Sequence, residues 1–440
     1  MRFAPALLLL SALAFACYTA VIPIDGNYTL YLQGPRYAEW NGSLLVYRGG
    51  LVAALHGPGS GVLWGNGTYT LAGKGELGLL VCSGFAVPSA EGPGPLGVVD
   101  YGVADLWGAE AFFTQRAEAV VGCFNLTSPL IIGSGPLGAA PAYSIQLNAY
   151  VEVGGRLYWA QALVRYFNGS FNFLDNLWNF TGPSSTLYGV VGSGVVAYYG
   201  RDMYYYYERG LAPLSSACLT ISARSADGAA LAFFYLNNTL MDEVRIPDAG
   251  EPRIVVEPEY SPRGLPIDLE LVVGGYGSSY PDAKLLGGNI SLALYLVSGG
   301  VAEPPLAAWS AGASTRERIY ASVTPAGRGA VVGAGRPLQA QLYADLCVYF
   351  LNGTANCGGE KRYLVSLVLP NGTKAFWAAP GANISIPIIY AGRIRYIPMQ
   401  PISIEVDKPA EITPSYAAQY EVVVRGLGRS WELWANADSP

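Results

Sequence analysis

Tyr143-Ser144-Ile145-Gln146-Leu147-Asn148-Ala149-Tyr150-Val151-Glu152-Val153 is the stretch that decides the fold class. Ile145, Leu147 and Ala149 alternate with Ser144, Gln146 and Asn148, a period of two that sends apolar side chains to one face of a strand and polar ones to the other. Working outward, Tyr158 to Phe167, Val195 to Tyr199, Leu231 to Leu236, Asp268 to Val273 and Ile290 to Val297 also read as strands between turn signals, and none sustains a helical period. Composition agrees: 55 Gly and 31 Tyr accompany only 13% charged residues, a balance suited to many strands joined by tight turns. The expectation is an all-β chain, with a sandwich or barrel-like central domain and small accessory β modules at both ends.

The start of the chain sets the expected compartment. Arg2 precedes an apolar run from Phe3 to Ala16 that ends in Ala14-Phe15-Ala16, the layout of a secretory signal. That run is too short for the roughly 20 residues of a spanning helix, and Gly, Pro or a charge interrupts every later apolar stretch, so no transmembrane span is expected. Residues 1–20 are read as the signal and 21–87 as an N-terminal β module or pro-segment. Val87-Pro88-Ser89-Ala90-Glu91-Gly92-Pro93-Gly94-Pro95 supplies a linker over 88–96, and the main domain follows over 97–345. In the last part, 346–440, Tyr363-x-Val365 with Trp377 recurs as Tyr420-x-Val422 with Trp434, a β repeat suited to association with a cell envelope. Eleven Asn-x-Ser/Thr sequons, from Asn27 to Asn383, fit a secreted glycoprotein. Beyond residue 20 the cysteines are Cys82, Cys123, Cys218, Cys347 and Cys357; their spacing matches no zinc pattern, Cys347 and Cys357 suit a hairpin bridge, and the odd count leaves one thiol over.

Much chemistry is excluded. Net charge is −6 without a basic run, which argues against a nucleic-acid partner. His56 is the one histidine and has no paired motif, so a Ser or Cys nucleophile lacks its usual base and a zinc site its usual ligands. Gly133-x-Gly135-x-x-Gly138 contains Pro136 and precedes a strand rather than a helix, so it reads as a turn. No metal and no cofactor is expected. Acid–base work then falls to carboxyl and amide side chains. Two carboxyl groups that share a proton across a water suffice for peptide hydrolysis, one acting as acid and the other as base, and ordinary carboxylate values place such chemistry at low pH.

Three acids stand out. Pro266 to Val273 reads as a strand with Ile267, Leu269, Leu271 and Val273 on one face and Asp268 and Glu270 together on the other, their Cα atoms about 6.6 Å apart at two strand steps. That separation calls for a partner from another strand, and the plain alternative is a solvated strand face. Asp175, within Phe171-Asn172-Phe173-Leu174-Asp175-Asn176-Leu177-Trp178, is expected to be partly buried with a raised pKa, or else to cap a turn. Gln161 and Gln146 could position a water or hold an oxyanion, or form ordinary polar ladders.

Taken in order, Pro93-x-Pro95-x-Gly97, Tyr101-Gly102, Asn125-Leu126-Thr127-Ser128, Gln146-x-Asn148, Tyr158-Trp159-x-Gln161, Asp175-Asn176-x-Trp178-Asn179 and Asp268-x-Glu270-Leu271-Val272 resemble the thermopsin family of acid endopeptidases, over about residues 93 to 345. The resemblance implies acid-active, thermophilic proteolysis of protein or peptide substrates, aspartic-type or glutamic-type, on a β-rich fold with no cofactor. It carries no settled catalytic assignment. Asp175, Asp268 and Glu270, with Gln161, are the candidates because they satisfy both the motifs and the chemistry. Ala162 stands where the motif leads one to expect a polar residue. The competing reading from a different class is a non-catalytic extracellular surface glycoprotein on the same scaffold; carbohydrate binding through Tyr204 to Tyr207 is a third.

Overall fold

The computed structural model describes residues 17–436, apart from 83–84, 89–91, 107–108, 249, 351, 400–402 and 427–428. The apolar leader 1–16 and part of the Pro/Gly linker lie outside the described residues. Among the described residues there is no α-helix, and the chain is all-β. It divides into two compact units. One joins the residues up to Tyr18 with Leu80–Ala344, and the other joins Thr19–Leu79 with Asp345–Pro440.

The first unit is a sandwich. Its main strands are β1 (Leu96–Asp100), β2 (Ala119–Gly135), β3 (Ala142–Val153), β4 (Arg156–Phe167), β5 (Ser170–Asn179), β6 (Val195–Tyr199), β7 (Asp202–Leu211), β8 (Ser216–Ala226), β9 (Ala229–Leu236), β10 (Thr239–Ile246), β11 (Leu269–Gly274), β12 (Asp282–Ser298), β13 (Ala307–Ala311), β14 (Ser322–Ala326), β15 (Gly329–Gly333) and β16 (Gln341–Ala344). One sheet runs β6-β7-β5-β4-β3-β11-β1-β13-β16, the other β10-β9-β8-β2-β12-β15-β14, with antiparallel neighbours throughout. Ile145, Leu147, Leu271 and Phe173 of the first sheet share a continuous buried core with Leu219, Phe234 and Leu294 of the second. Turn chemistry fixes the register. Gly154-Gly155 joins β3 to β4 and Asn168-Gly169 joins β4 to β5, each pair with both φ angles positive, the geometry of a two-residue hairpin whose twist matches its strands. Gly135 pairs with Gly138, so the glycine-rich string at 133–138 closes a hairpin as read.

The amide-bearing face of the first sheet is buried as well. Ser144, Gln146 and Asn148 lie opposite the core face, as their alternation requires, yet all three are nearly inaccessible. Tyr101, Val103 and Phe85 pack over one part of this face, and Tyr150, Trp159, Phe180, Val255 and Ile267 over another. Ile267 belongs to this second covering layer and not to the face of Leu269, Leu271 and Val273, which corrects the sequence reading. The strand is interrupted at Asp268, between Pro266–Ile267 and β11, and the segment Pro266–Ile267 pairs irregularly with Glu257 and Tyr260.

In the second unit the strands Gly59–Trp64 and Cys347–Phe350 pair in parallel, so the two ends of the chain, read from the sequence as separate modules, share a sheet. The repeated motif is two hairpins of identical register, with Leu364 opposite Trp377 and Glu421 opposite Trp434. His56 contacts Ser43 and the Ala375 carbonyl there.

Six cysteines form Cys17–Cys82, Cys123–Cys218 and Cys347–Cys357. The expected hairpin bridge is present, but the unpaired thiol is not, among the described residues. The count of five had assigned Cys17 to a leader ending at residue 20, whereas Cys17 is bridged into the fold.

Leu271 is fully buried opposite Leu147 and lies against Gly122 of the facing sheet, where an added Cβ would come within 2.6 Å of the Leu271 side chain. Leu271→Ala is expected to lower unfolding free energy by about 2–5 kcal/mol, and Gly122→Ala by about 1–3 kcal/mol through overpacking. Denaturant unfolding monitored by circular dichroism checks both.

Candidate active site

Asp268 and Glu270 are both fully buried, which rules out the solvated strand face. The interruption at Asp268 lets the two carboxyl groups meet although their residues are two positions apart. Burial first, and then the neighbouring Glu270, push the Asp268 carboxyl well above the usual carboxylate range; hydrogen bonding from Ser314 opposes this only in part. Like charges held this close disfavour ionisation of both.

The partner that bridges the pair comes from the loop following β13. The Ser314 hydroxyl donates to Asp268 Oδ1, and the Ser314 backbone N–H donates to Glu270 Oε1 at 2.9 Å. Ala313 N–H donates to the same Oε1 at 2.6 Å. Close approach of this loop demands glycine at 312, because a Cβ there would lie 2.4 Å from Glu270 Oε1. On its other side, Glu270 Oε2 accepts from Asn148 Nδ2 at 2.9 Å. Three N–H donors thus meet the Glu270 carboxyl group.

Tyr101 and Tyr150 complete the surroundings. The Tyr101 hydroxyl donates to the Ala311 carbonyl at 2.8 Å. Burial and the proximity of Asp268 and Glu270 raise the pKa of both phenols. The Tyr150 hydroxyl faces Asp268, Ser261 and Ser314, but no contact there meets hydrogen-bond geometry. Asp268 Oδ2, Ser261 Oγ, Tyr150 Oη and Trp159 Nε1 are all buried without a hydrogen-bond partner among the described residues. Buried polar atoms are seldom left so.

A groove opens beside this cluster. Trp159, Trp178, Phe180, Tyr199 and Leu265 line it, and Ala313 to Glu317 form its other wall. Ser314 therefore faces the groove while holding both acids. Trp159 stacks on Phe180, and Arg263 lies over the Phe180 ring while pairing with Asp202.

Gln161 joins the pair indirectly. Its Nε2 donates to Asn148 Oδ1 at 2.8 Å and to Gln146 Oε1 at 2.7 Å, and its Oε1 accepts from Asn176 at 2.7 Å, so its amide is fully engaged in a polar ladder. Asp175 is placed elsewhere. Together with Phe171, Phe173 and Leu177 it points to the core face of β5, away from Gln161 and Asn176, and both its oxygens are buried without a hydrogen-bond partner among the described residues. Burial first, and then the nearby Asp242, push its carboxyl up to about 9. Asp242 itself is bonded by the Tyr205 hydroxyl and by Ser193 N–H. Ala162 also faces the core, opposite Asp175, so its apolar character does not touch the groove. Gly312, Ala313 and Ser314 were missed from the sequence; a run of small residues in a loop carries no periodicity and no pairing signal.

A sequence profile of the thermopsin family matches residues 82–321, somewhat over half of the chain. Thermopsin of Sulfolobus acidocaldarius is 27% identical to the chain over 257 residues, covering 52% of this chain and 75% of that protein.

The placement of Asp175 has a consequence for stability. Its carboxyl is neutral in the fold up to about pH 9 but ionises near its ordinary value, about 4, when unfolded. The unfolded state therefore holds fewer protons across this window, and stability falls as pH rises from about 4 to 9. Asp175→Asn is expected to flatten that fall and to stabilise the chain at pH 7 relative to the parent, while changing little at pH 3. Denaturant unfolding at pH 3, 5 and 7 measures the difference.

Proposed function

The chain belongs to the thermopsin family, and from that premise we propose that it is an acid endopeptidase in which Asp268 and Glu270 share the work of hydrolysis. The observation that carries this reading is the pair itself: two fully buried carboxyl groups in contact, bridged by Ser314 at the wall of an aromatic groove. Like charges this close cannot both ionise. Glu270, with three N–H donors, takes the charge; Asp268, raised by burial, takes the proton.

The roles follow. A carboxylate has about four acceptor positions, and three on Glu270 are filled, which leaves one for the water it deprotonates as general base. Asp268 gives its proton to the carbonyl oxygen of the scissile bond as water attacks the carbon. The proton taken by Glu270 then passes to the leaving amine, and as the C–N bond breaks a hydroxyl of the tetrahedral intermediate returns its proton to Asp268, which leaves the product carboxyl and restores the pair. Tyr150, Ser261 and Trp159 offer hydrogen-bonding atoms to the tetrahedral intermediate. Since the pair is inaccessible, the Ala313–Glu317 wall gives way as a polypeptide enters, and water is excluded again when it closes. Three disulfides support a place outside the cytoplasm, where such bonds persist, and thus secretion of the mature chain. Work in hot, acidic surroundings belongs to the same reading, and the Asp268 carboxyl, raised well above the usual range, keeps its proton in acid.

Asp268→Asn and Glu270→Gln are each expected to lower kcat on acid-denatured haemoglobin by about a hundredfold to ten-thousandfold with unchanged circular dichroism. Activity should fall on the alkaline side as Asp268 loses its proton, at a pH above the ordinary carboxylate range. Full activity in both variants would sink the assignment, and a parent chain inert toward protein at every acidic pH would favour the surface glycoprotein.

A further inference from the structure

Beyond the pair itself, one row of side chains crosses four neighbouring strands at a single level. Glu270 on β11 lies opposite Asn148 on β3, Asn148 opposite Gln161 on β4, and Gln161 opposite Asn176 on β5. Two residues further along β5, Trp178 forms part of the groove wall. The hydrogen bonds along this row are continuous. Trp178 Nε1 donates to Asn176 Oδ1 at 3.0 Å, Asn176 Nδ2 to Gln161 Oε1 at 2.7 Å, Gln161 Nε2 to Asn148 Oδ1 at 2.8 Å, and Asn148 Nδ2 to Glu270 Oε2 at 2.9 Å.

The direction of this chain is set by its outer end. An indole N–H can only donate, so Asn176 must turn its carbonyl to Trp178 and its amino group to Gln161. Gln161 must then present its amino group to Asn148, and Asn148 its amino group to Glu270. Reversing any one amide would set two donors or two acceptors face to face. The last link obliges Glu270 Oε2 to accept, as the backbone N–H groups of Ala313 and Ser314 oblige Oε1. Three aligned amide dipoles therefore point their positive ends at one carboxylate in a buried setting, where such bonds polarise one another. A branch from Gln161 through Gln146 to Ser144 and the Gly275 carbonyl fixes the hub against rotation.

We propose that Trp178, Asn176, Gln161 and Asn148 form a one-way amide relay that fixes Glu270 Oε2 as a hydrogen-bond acceptor toward the reaction, so that these four are positioning residues. The inference rests on the reading of Glu270 as the base. The titratable groups facing Glu270 are Asp268 beside it, Tyr101 after β1 and Tyr150 on β3. None of these three brings a positive charge, so the hydrogen-bond donors that meet Glu270 are the relay and the two backbone N–H groups.

The test uses the full chain and a quenched fluorescent peptide, with kcat/KM followed against pH. The acidic limb of that profile reports ionisation of the base in the free enzyme. Asn148→Leu is expected to move the limb up by about one pH unit, Asn176→Leu by less, and Trp178→Phe by least. Trp178→Phe keeps an aromatic ring for the stack on Tyr204 and guards against loss of the fold. Asn172→Leu, on the same face of β5 but bonded to Glu208, should leave the limb in place. Variants that lose activity by one factor at every pH, with the limb unmoved, would overturn the relay and leave the amides a structural ladder. Isotope-edited infrared spectra of Glu270 separate the two readings: its carboxylate band should disappear at a higher pH in Asn148→Leu than in the parent even if Glu270→Gln proves active, and an unmoved band overturns the relay by itself.

Discussion

Placing two carboxyl groups in contact inside a protein is the constraint on which the rest of the first unit turns. An isolated ionised carboxylate away from water costs many kcal/mol, and two side by side cost more. The arrangement persists because one proton removes half of the charge and because hydrogen-bond donors meet the remainder. The details around the pair serve that need. The strand is interrupted at Asp268 so that the side chains can meet, residue 312 is glycine so that the loop can reach Glu270, and Ser314 satisfies an oxygen of each acid.

This explains why the sheet is buried on both faces yet divided in character. The face toward β2 and β12 is apolar and carries the packing energy of the sandwich. The opposite face carries amides, acids and hydroxyls, sealed under aromatic side chains. Sealing lowers the local dielectric, which strengthens each hydrogen bond and penalises each unpaired group. A face of that kind is costly to maintain for stability alone. The groove of Trp159, Trp178 and Phe180 runs along its edge.

Asp175 sharpens the argument by contrast. Its carboxyl is buried and raised, as that of Asp268 is, and both owe the shift chiefly to lost hydration. Asp175 nevertheless lies between the sheets, with Phe171, Phe173 and Leu177 beside it. A perturbed carboxyl is therefore a pointer to chemistry only where a substrate can approach.

The alternation of Ile145, Leu147 and Ala149 with Ser144, Gln146 and Asn148 was enough to establish strands, their two faces and the all-β class, because a side-chain period of two is a local property of extended chain. The absence of paired histidines directed attention to acids, and the motifs around Asp268 and Glu270 located two that do meet. What local pattern could not supply was anything that depends on residues distant in sequence. That Asp175 faces the core follows from which side of β5 the second sheet covers. That Glu270 needs Gly312 and Ser314 follows from a loop more than forty residues on, and that the amides line up follows from the register of four strands. The sequence alone determined which groups were available; the tertiary structure decided which of them stand close enough, and dry enough, to change one another's charge, because proton sharing and desolvation act over a few ångströms of space and not along the chain.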